Sequence, residues 1–253
     1  MIYLSLKLLA FQDILWDISV FTFLFLVSIF ADFIANEKPL LIKYENQIYL
    51  PIINEYAETT FGGDFETEAD YRDPYVKELI NNNGWMIWPI IPYSYDTIIR
   101  DLEAPAPSPP STKNWLGTDD QARDVLSRVI YGFRISILFG FTLTFFSMII
   151  GVSAGAIQGY FGGKIDLFFQ RFMEVWSAIP TLYVLIILAS IVKPNFWWLL
   201  SILLLFSWMG YVGVVRAEFL RARNFDYVRA AQALGVSNYK IMLRHLLPNA
   251  TVA

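Results

Sequence analysis

The charged residues leave four long apolar runs along this chain. The first, 18–31, carries no charge and is bracketed by Asp17 and Asp32. Extended to Ala35 it approaches the roughly 20 apolar residues that cross a bilayer. It lacks the small-residue cleavage site of a secretion signal, so a retained membrane anchor is predicted. Further spans are predicted at 135–157, 174–192 and 196–215. The last two are near the minimum spanning length and are joined by a tight Lys193-Pro194-Asn195 turn. In the second run Gly151 and Gly155 stand four apart, a spacing that lets another helix approach closely in a membrane. Glu174 lies near the start of the third, where a side chain snorkels to the interface rather than serving as a buried proton relay.

The stretch 36–118 between the first two runs is polar and rich in turn formers. Residues 40–50 alternate around Glu45-Asn46, which predicts a small hairpin. Residues 85–91 read as a second strand, held to a sheet edge by Pro89. Residues 104–110, with four prolines, form an extended linker. Beyond it, Thr118 and Gln121 have the spacing of a capping box, and Asp119 and Asp120 suit a helix N-terminus. Leu126, Val129, Ile130 and Phe133 then recur at helical spacing, predicting an amphipathic helix on the membrane surface. Residues 159–163 are glycine-rich, but no Gly-Lys-Ser/Thr ending follows and no strand precedes, which argues against ATP binding. Nearby Asp166, Arg171 and Glu174 either pair with one another or are solvated.

Composition supports the membrane reading. The hydrophobic share is 56% and the mean hydropathy +0.45, above the roughly 45–50% of soluble domains. The absence of cysteine removes disulfides, thiolate metal sites and thiol nucleophiles, and the single His245 rules out a histidine-rich metal centre. The net charge of −4 hides an asymmetry: residues 36–133 carry 16 acidic and 8 basic side chains, and 216–253 carry 2 and 6. Basic residues favour the cytoplasmic side, so 216–253 and 158–172 are predicted inside and the acidic 36–133 outside.

Residues 226–248 hold the strongest local pattern. Asp226 is predicted to cap a short helix through Leu234 that carries the small Ala230, Ala231 and Ala233. Gly235 sits where helices end at positive φ. Ser237 is predicted to cap a second helix reaching Leu246, and Pro248 to mark a bend. The product is two short helices joined at a glycine, with small residues that admit another surface.

These residues resemble the EAA loop of ABC importer permeases, the loop that docks on the ATPase subunit: Ala230-Ala231, then Gly235, then Leu247-Pro248. The flanks 225–228 and 244–250 look like the dipeptide/oligopeptide branch, in which Arg229 in place of the general glutamate is usual. The stretch 114–136 is similar to the LGTD…GRD.LSR…G.R.S signature of that branch, with Ala122 replacing its glycine, and 159–166 resembles its GY.GG..D cytoplasmic turn. The large insert points to the Yej-type subunits, linked with oligopeptide and microcin C uptake.

The resemblance implies an all-α polytopic permease of the type I ABC importer fold. Its parts are an N-terminal segment with the first span (1–35), an extracytoplasmic insert of irregular and small-β structure (36–118) and a permease core (119–253), whose coupling loop lies in 216–250. It implies a bacterial inner-membrane location, no catalytic residue, cofactor or metal, and no nucleic-acid partner. Its implied associates are a second permease, ATP-binding subunits, a periplasmic peptide-binding protein, a peptide substrate and membrane lipid. The coupling residues are Asp226, Arg229, Ala230, Ala231, Gly235, Leu247 and Pro248; no linear motif marks the substrate-binding residues. Permeases of this kind continue for two more spans, so 248–253 reads as the start of a fifth, and a truncated, non-transporting fragment is one alternative. They also carry several basic residues before the first span, where only Lys7 stands here. The other alternative is a membrane-anchored binding or scaffold protein that works through 36–118.

Overall fold

Apolar side chains all round a helix leave it no aqueous face, and this governs the longest helices. A computed structural model describes residues 2–102, 104–193 and 195–250; Pro194 of the predicted turn and residues 251–253 of the predicted fifth span lie outside them. The chain divides into two compact units, residues 1–137 and 138–253.

In the first unit, helix α1 (Ile2–Ile29) is followed by the single turn α2 (Ala31–Ile34). Strands β1 (Leu41–Tyr44) and β2 (Gln47–Tyr49) pair antiparallel around Glu45 and Asn46, both at positive φ, the conformation that a tight two-residue hairpin requires. Strand β3 (Gly84–Ile87) adds to the other side of β1, giving the order β2-β1-β3, and stops two residues before Pro89. Helix α3 (Pro74–Asn83) was not anticipated, although Asp73 accepts a hydrogen bond from the Tyr75 amide at 2.7 Å and Pro74 opens the first turn. Val76 and Ile80 on α3 close a core with Ile42, Tyr44, Phe61 and Tyr71. Phe61 is its centre, meeting Tyr44, Tyr49, Tyr56 and Tyr71 edge-on. Burial pushes the Tyr71 hydroxyl well above its ordinary pKa.

A second cluster of Ala31, Ala35, Ile91, Tyr93, Ile99 and Tyr131 gathers at the end of α2. There the Tyr131 hydroxyl donates to Asp32 and Arg134 pairs with Asp32, each at 2.8 Å. The predicted Thr118–Gln121 capping box does not form. Asp124 Oδ1 instead accepts from the Ser127 amide at 2.8 Å, and helix α4 (Val125–Phe161) begins there. Thr118 is turned toward Ser108. Nor is there a separate surface helix, because Leu126, Val129, Ile130 and Phe133 are the opening turns of this 37-residue helix. No breaker stands between the two predicted segments, so they propagate as one.

In the second unit, α5 (Gly163–Ser177) and α6 (Thr181–Ile191) replace the predicted unbroken span at 174–192; they bend by 63° across 178–180. Pro180 supplies no N–H and disfavours helix in the residue before it, which ends α5 short of it. Residues 163–166, predicted as part of a cytoplasmic turn, are the first turn of α5. Asn195 caps α7 (Phe196–Ser207) by accepting from the Trp198 amide at 2.9 Å. One residue later α8 (Met209–Ala222) continues. By length and composition, two helices among the described residues can cross a membrane, Val125–Phe161 and Phe196–Ala222; the bent pair makes a third if counted as one span. Only 11% of the apolar window in α4 is buried within the chain, so lipid or other subunits must cover the rest.

Gly151, Gly155 and Gly159 form a stripe on α4 against α8. A Cβ at Gly151 would strike the Trp208 carbonyl and Tyr211; at Gly155 it would lie 2.8 Å from the Val212 oxygen, and at Gly159 2.5 Å from Phe219 Cβ.

Candidate coupling site

After α8 the chain turns at Phe225 into α9 (Asp226–Ala233). Phe225, not Asp226, holds the N-cap position, and no side chain caps the helix. Asp226 is instead the first helical residue, where its charge complements the helix dipole. The C-terminus closes as a Schellman motif: the Gly235 amide donates to the Gln232 oxygen at 3.0 Å and the Val236 amide to the Ala231 oxygen at 3.1 Å. Gly235 takes φ +76°, which this motif needs at that place.

Ser237 precedes α10 (Asn238–Lys240) but makes no side-chain cap. The helix then widens into a π-helical stretch, Ile241–Leu246, and resumes as α11 (Leu247–Ala250). The predicted bend at Pro248 does not occur. The Leu247 amide donates five residues back to the Met242 oxygen, and this wider turn accommodates a proline that lacks a donor and crowds the preceding carbonyls.

The two helices are held as one body. Val228, Ala231, Ile241 and Leu246 are buried against Tyr160, Phe219 and Ala222, at the ends of α4 and α8. The Tyr160 hydroxyl donates to Asn238 Oδ1 at 2.8 Å and accepts from Gln232 Nε2 at 3.2 Å. Arg223 donates to the Tyr160 carbonyl at 3.3 Å, and its guanidinium occupies the space a Cβ at Gly162 would need. Among the predicted site residues, Ala231 therefore faces the core. Asp226, Arg229, Ala230, Gly235 and Pro248 are exposed, and Leu247 is half-buried. Beside them stand Leu234, 83% exposed, and Tyr239, 69% exposed. Neither was singled out from the sequence: Leu234 lies three residues after buried Ala231, and helical spacing alone would place it in the core.

Asp166, on the first turn of α5, does not pair with Arg171 or Glu174. It accepts from Arg216 on α8 at both oxygens, 2.5 and 2.7 Å, while Arg171 pairs with Glu174 at 2.6 Å.

Residues 147–253, which include all of α9 to α11, match the protein family described as the binding-protein-dependent transport system inner membrane component. The chain is similar to the inner membrane ABC transporter permease protein YejE of Escherichia coli K12, with 56% identity covering 94% of this chain and 70% of that one. The peptidoglycan transport system permease protein YejE of Agrobacterium fabrum is 53% identical over 94% of this chain and 68% of its own length. The chain belongs to the ABC transporter permeases. A more distant member, the dipeptide transport system permease protein DppC of Bacillus subtilis, is 35% identical over 60% of this permease and 48% of its own length. The permease is thus a multi-pass inner-membrane subunit that performs no bond chemistry itself. ATP hydrolysis resides in separate ATP-binding subunits, and a second permease and a binding protein complete such systems.

Proposed function

We propose that this permease forms half of the translocation path of an ATP-driven peptide importer and receives its ATPase subunit on the α9–α10 element. The observation that carries the docking assignment is the surface of that element. Leu234 and Tyr239 are exposed beside Asp226, Arg229, Ala230 and Gly235, on a body fixed from behind by the Tyr160 hydrogen bonds and a buried core. Such a body passes on a partner's motion as a rigid unit. Peptide cargo is supported by the dipeptide and peptidoglycan substrates in the names of its relatives. In this proposal the chain crosses four times, through α1, whose described apolar stretch Ile14–Ile29 is shorter than the two spanning helices, and through α4, the α5–α6 pair and α7–α8. Residues 36–118 then lie outside as a small-β insert, and the basic 216–253 inside, in accord with the positive-inside bias.

Gly235→Asp tests the docking. A Cβ there meets no atom within 4 Å and φ is +76°, a conformation that Asp and Asn reach at similar cost, so what Gly235→Asp adds beyond Gly235→Asn is a charge at the partner-facing tip. Expressed with the other subunits, this variant loses the ATP-binding subunit on purification and takes up no peptide. Gly235→Asn, which tolerates positive φ, retains both. Normal co-purification and uptake by Gly235→Asp would refute the assignment.

A further inference from the structure

Helix α5 has no fully buried residue, and its apolar contact with α7 includes the stacking of Trp176 on Phe206. Among the described residues, three side-chain hydrogen-bonded contacts direct it further. Asp166 makes its two-pronged pair with Arg216 of α8. Gln170 Nε2 donates to Gln158 Oε1 of α4 at 3.2 Å, and Trp176 Nε1 donates to the Leu205 carbonyl of α7 at 2.9 Å. Only the first is charged at both partners, and a bidentate guanidinium–carboxylate pair fixes direction as well as distance. Arg216 is also one turn from Phe219, a buried residue on which α9 and the Ile241–Leu246 stretch are seated. Beyond α5 the chain bends by 63° into α6.

We propose that Asp166 and Arg216 are positioning residues for transport, forming the link through which motion of the α9–α10 element reaches α5 and, across the bend at 178–180, α6. This inference rests on the docking reading above. The side chains of Asp166 and Arg216 are 15% and 29% exposed, within reach of solvent. Asn or Gln in place of one partner keeps its size and a hydrogen-bonding group there, which limits the loss of stability. Breaking it therefore leaves the fold and the docked ATPase in place while removing the directional connection. A purely structural pair would show the opposite, with assembly lost along with transport.

The test uses the complete transporter in proteoliposomes, with a mixture of radiolabelled peptides of two to six residues as cargo. Asp166→Asn and Arg216→Gln are expected to retain the ATP-binding subunit but to move roughly tenfold less peptide per ATP hydrolysed. The reversal Asp166→Arg with Arg216→Asp restores most of that ratio. Wild-type ratios in the single variants overturn the proposal, as does a reversal no better than either single variant or loss of the ATP-binding subunit from the single variants. Failure of the docking reading shows separately, as retention of that subunit by Gly235→Asp.

Discussion

Adding one methyl group at Gly159 should separate two helices, whereas the same change at Gly140 in the same helix should not. A Cβ at Gly159 lies 2.5 Å from Phe219 Cβ and 2.6 Å from the Arg216 carbonyl oxygen. Neither atom can swing away, because one is backbone and the other is bonded to it. Reaching a comfortable carbon–carbon contact requires α8 to retreat by about 1 Å. That movement disturbs the seat beneath Phe219 and the adjoining Tyr160 hydrogen bonds. Overpacking of this kind costs about 1–3 kcal/mol, and two short contacts with rigid atoms place Gly159 near the upper end. Replacing a helical glycine by alanine returns up to about 1 kcal/mol. The net expectation is a loss of about 1–2 kcal/mol for Gly159→Ala. Gly140 has no atom within 4 Å of its Cβ position, so Gly140→Ala should be neutral or gain up to about 1 kcal/mol. Denaturation of the two variants in detergent, followed by helical circular dichroism, measures the gap. Stabilities equal within about 0.5 kcal/mol would refute the packing argument.

Two further outcomes concern the segment before α4. Ala122 sits at φ +60°, so Ala122→Gly should raise stability by about 0.5–1 kcal/mol, seen as a higher melting temperature; a lower one would contradict the strain. Burial pushes the Asp119 carboxyl up, but the Arg123 amide and guanidinium and the Gln121 amide more than offset this, holding its pKa at about 2 against an ordinary 3.8. A depressed carboxylate contributes stability that is fully present above its unfolded value and lost as pH falls through the folded one. Asp119→Asn should therefore flatten the pH dependence of stability between about pH 4 and pH 2, and acid-denaturation curves that remain parallel would contradict this.

What the sequence made legible was local. Gly235 announced its turn because the Schellman geometry needs positive φ, and Gly151 and Gly155 announced a packing face because their spacing alone defines one. The hairpin at Glu45-Asn46 followed from alternation. Contacts between distant residues left no such mark: Asp166 meets Arg216 across 50 positions, and the nearer Arg171 was the more obvious partner on spacing. Other signals were present but outweighed. Pro180 marked the end of α5, yet the apolar run continuing beyond it read as one span. Asp124 was a better cap than Thr118, but the acidic pair Asp119-Asp120 drew the helix start too early. Tyr160 looked like part of a glycine-rich turn, and only the fold shows its hydroxyl joining α9 to α10.

The docking of α9–α10 on the ATP-binding subunit is tested most directly by a photoreactive amino acid in place of Leu234, the most exposed apolar side chain of that element. In the intact transporter, illumination should give a covalent adduct with the ATP-binding subunit, and the same probe at Glu58 in the insert should give none. No adduct from position 234, or an equal yield from position 58, would contradict the assignment.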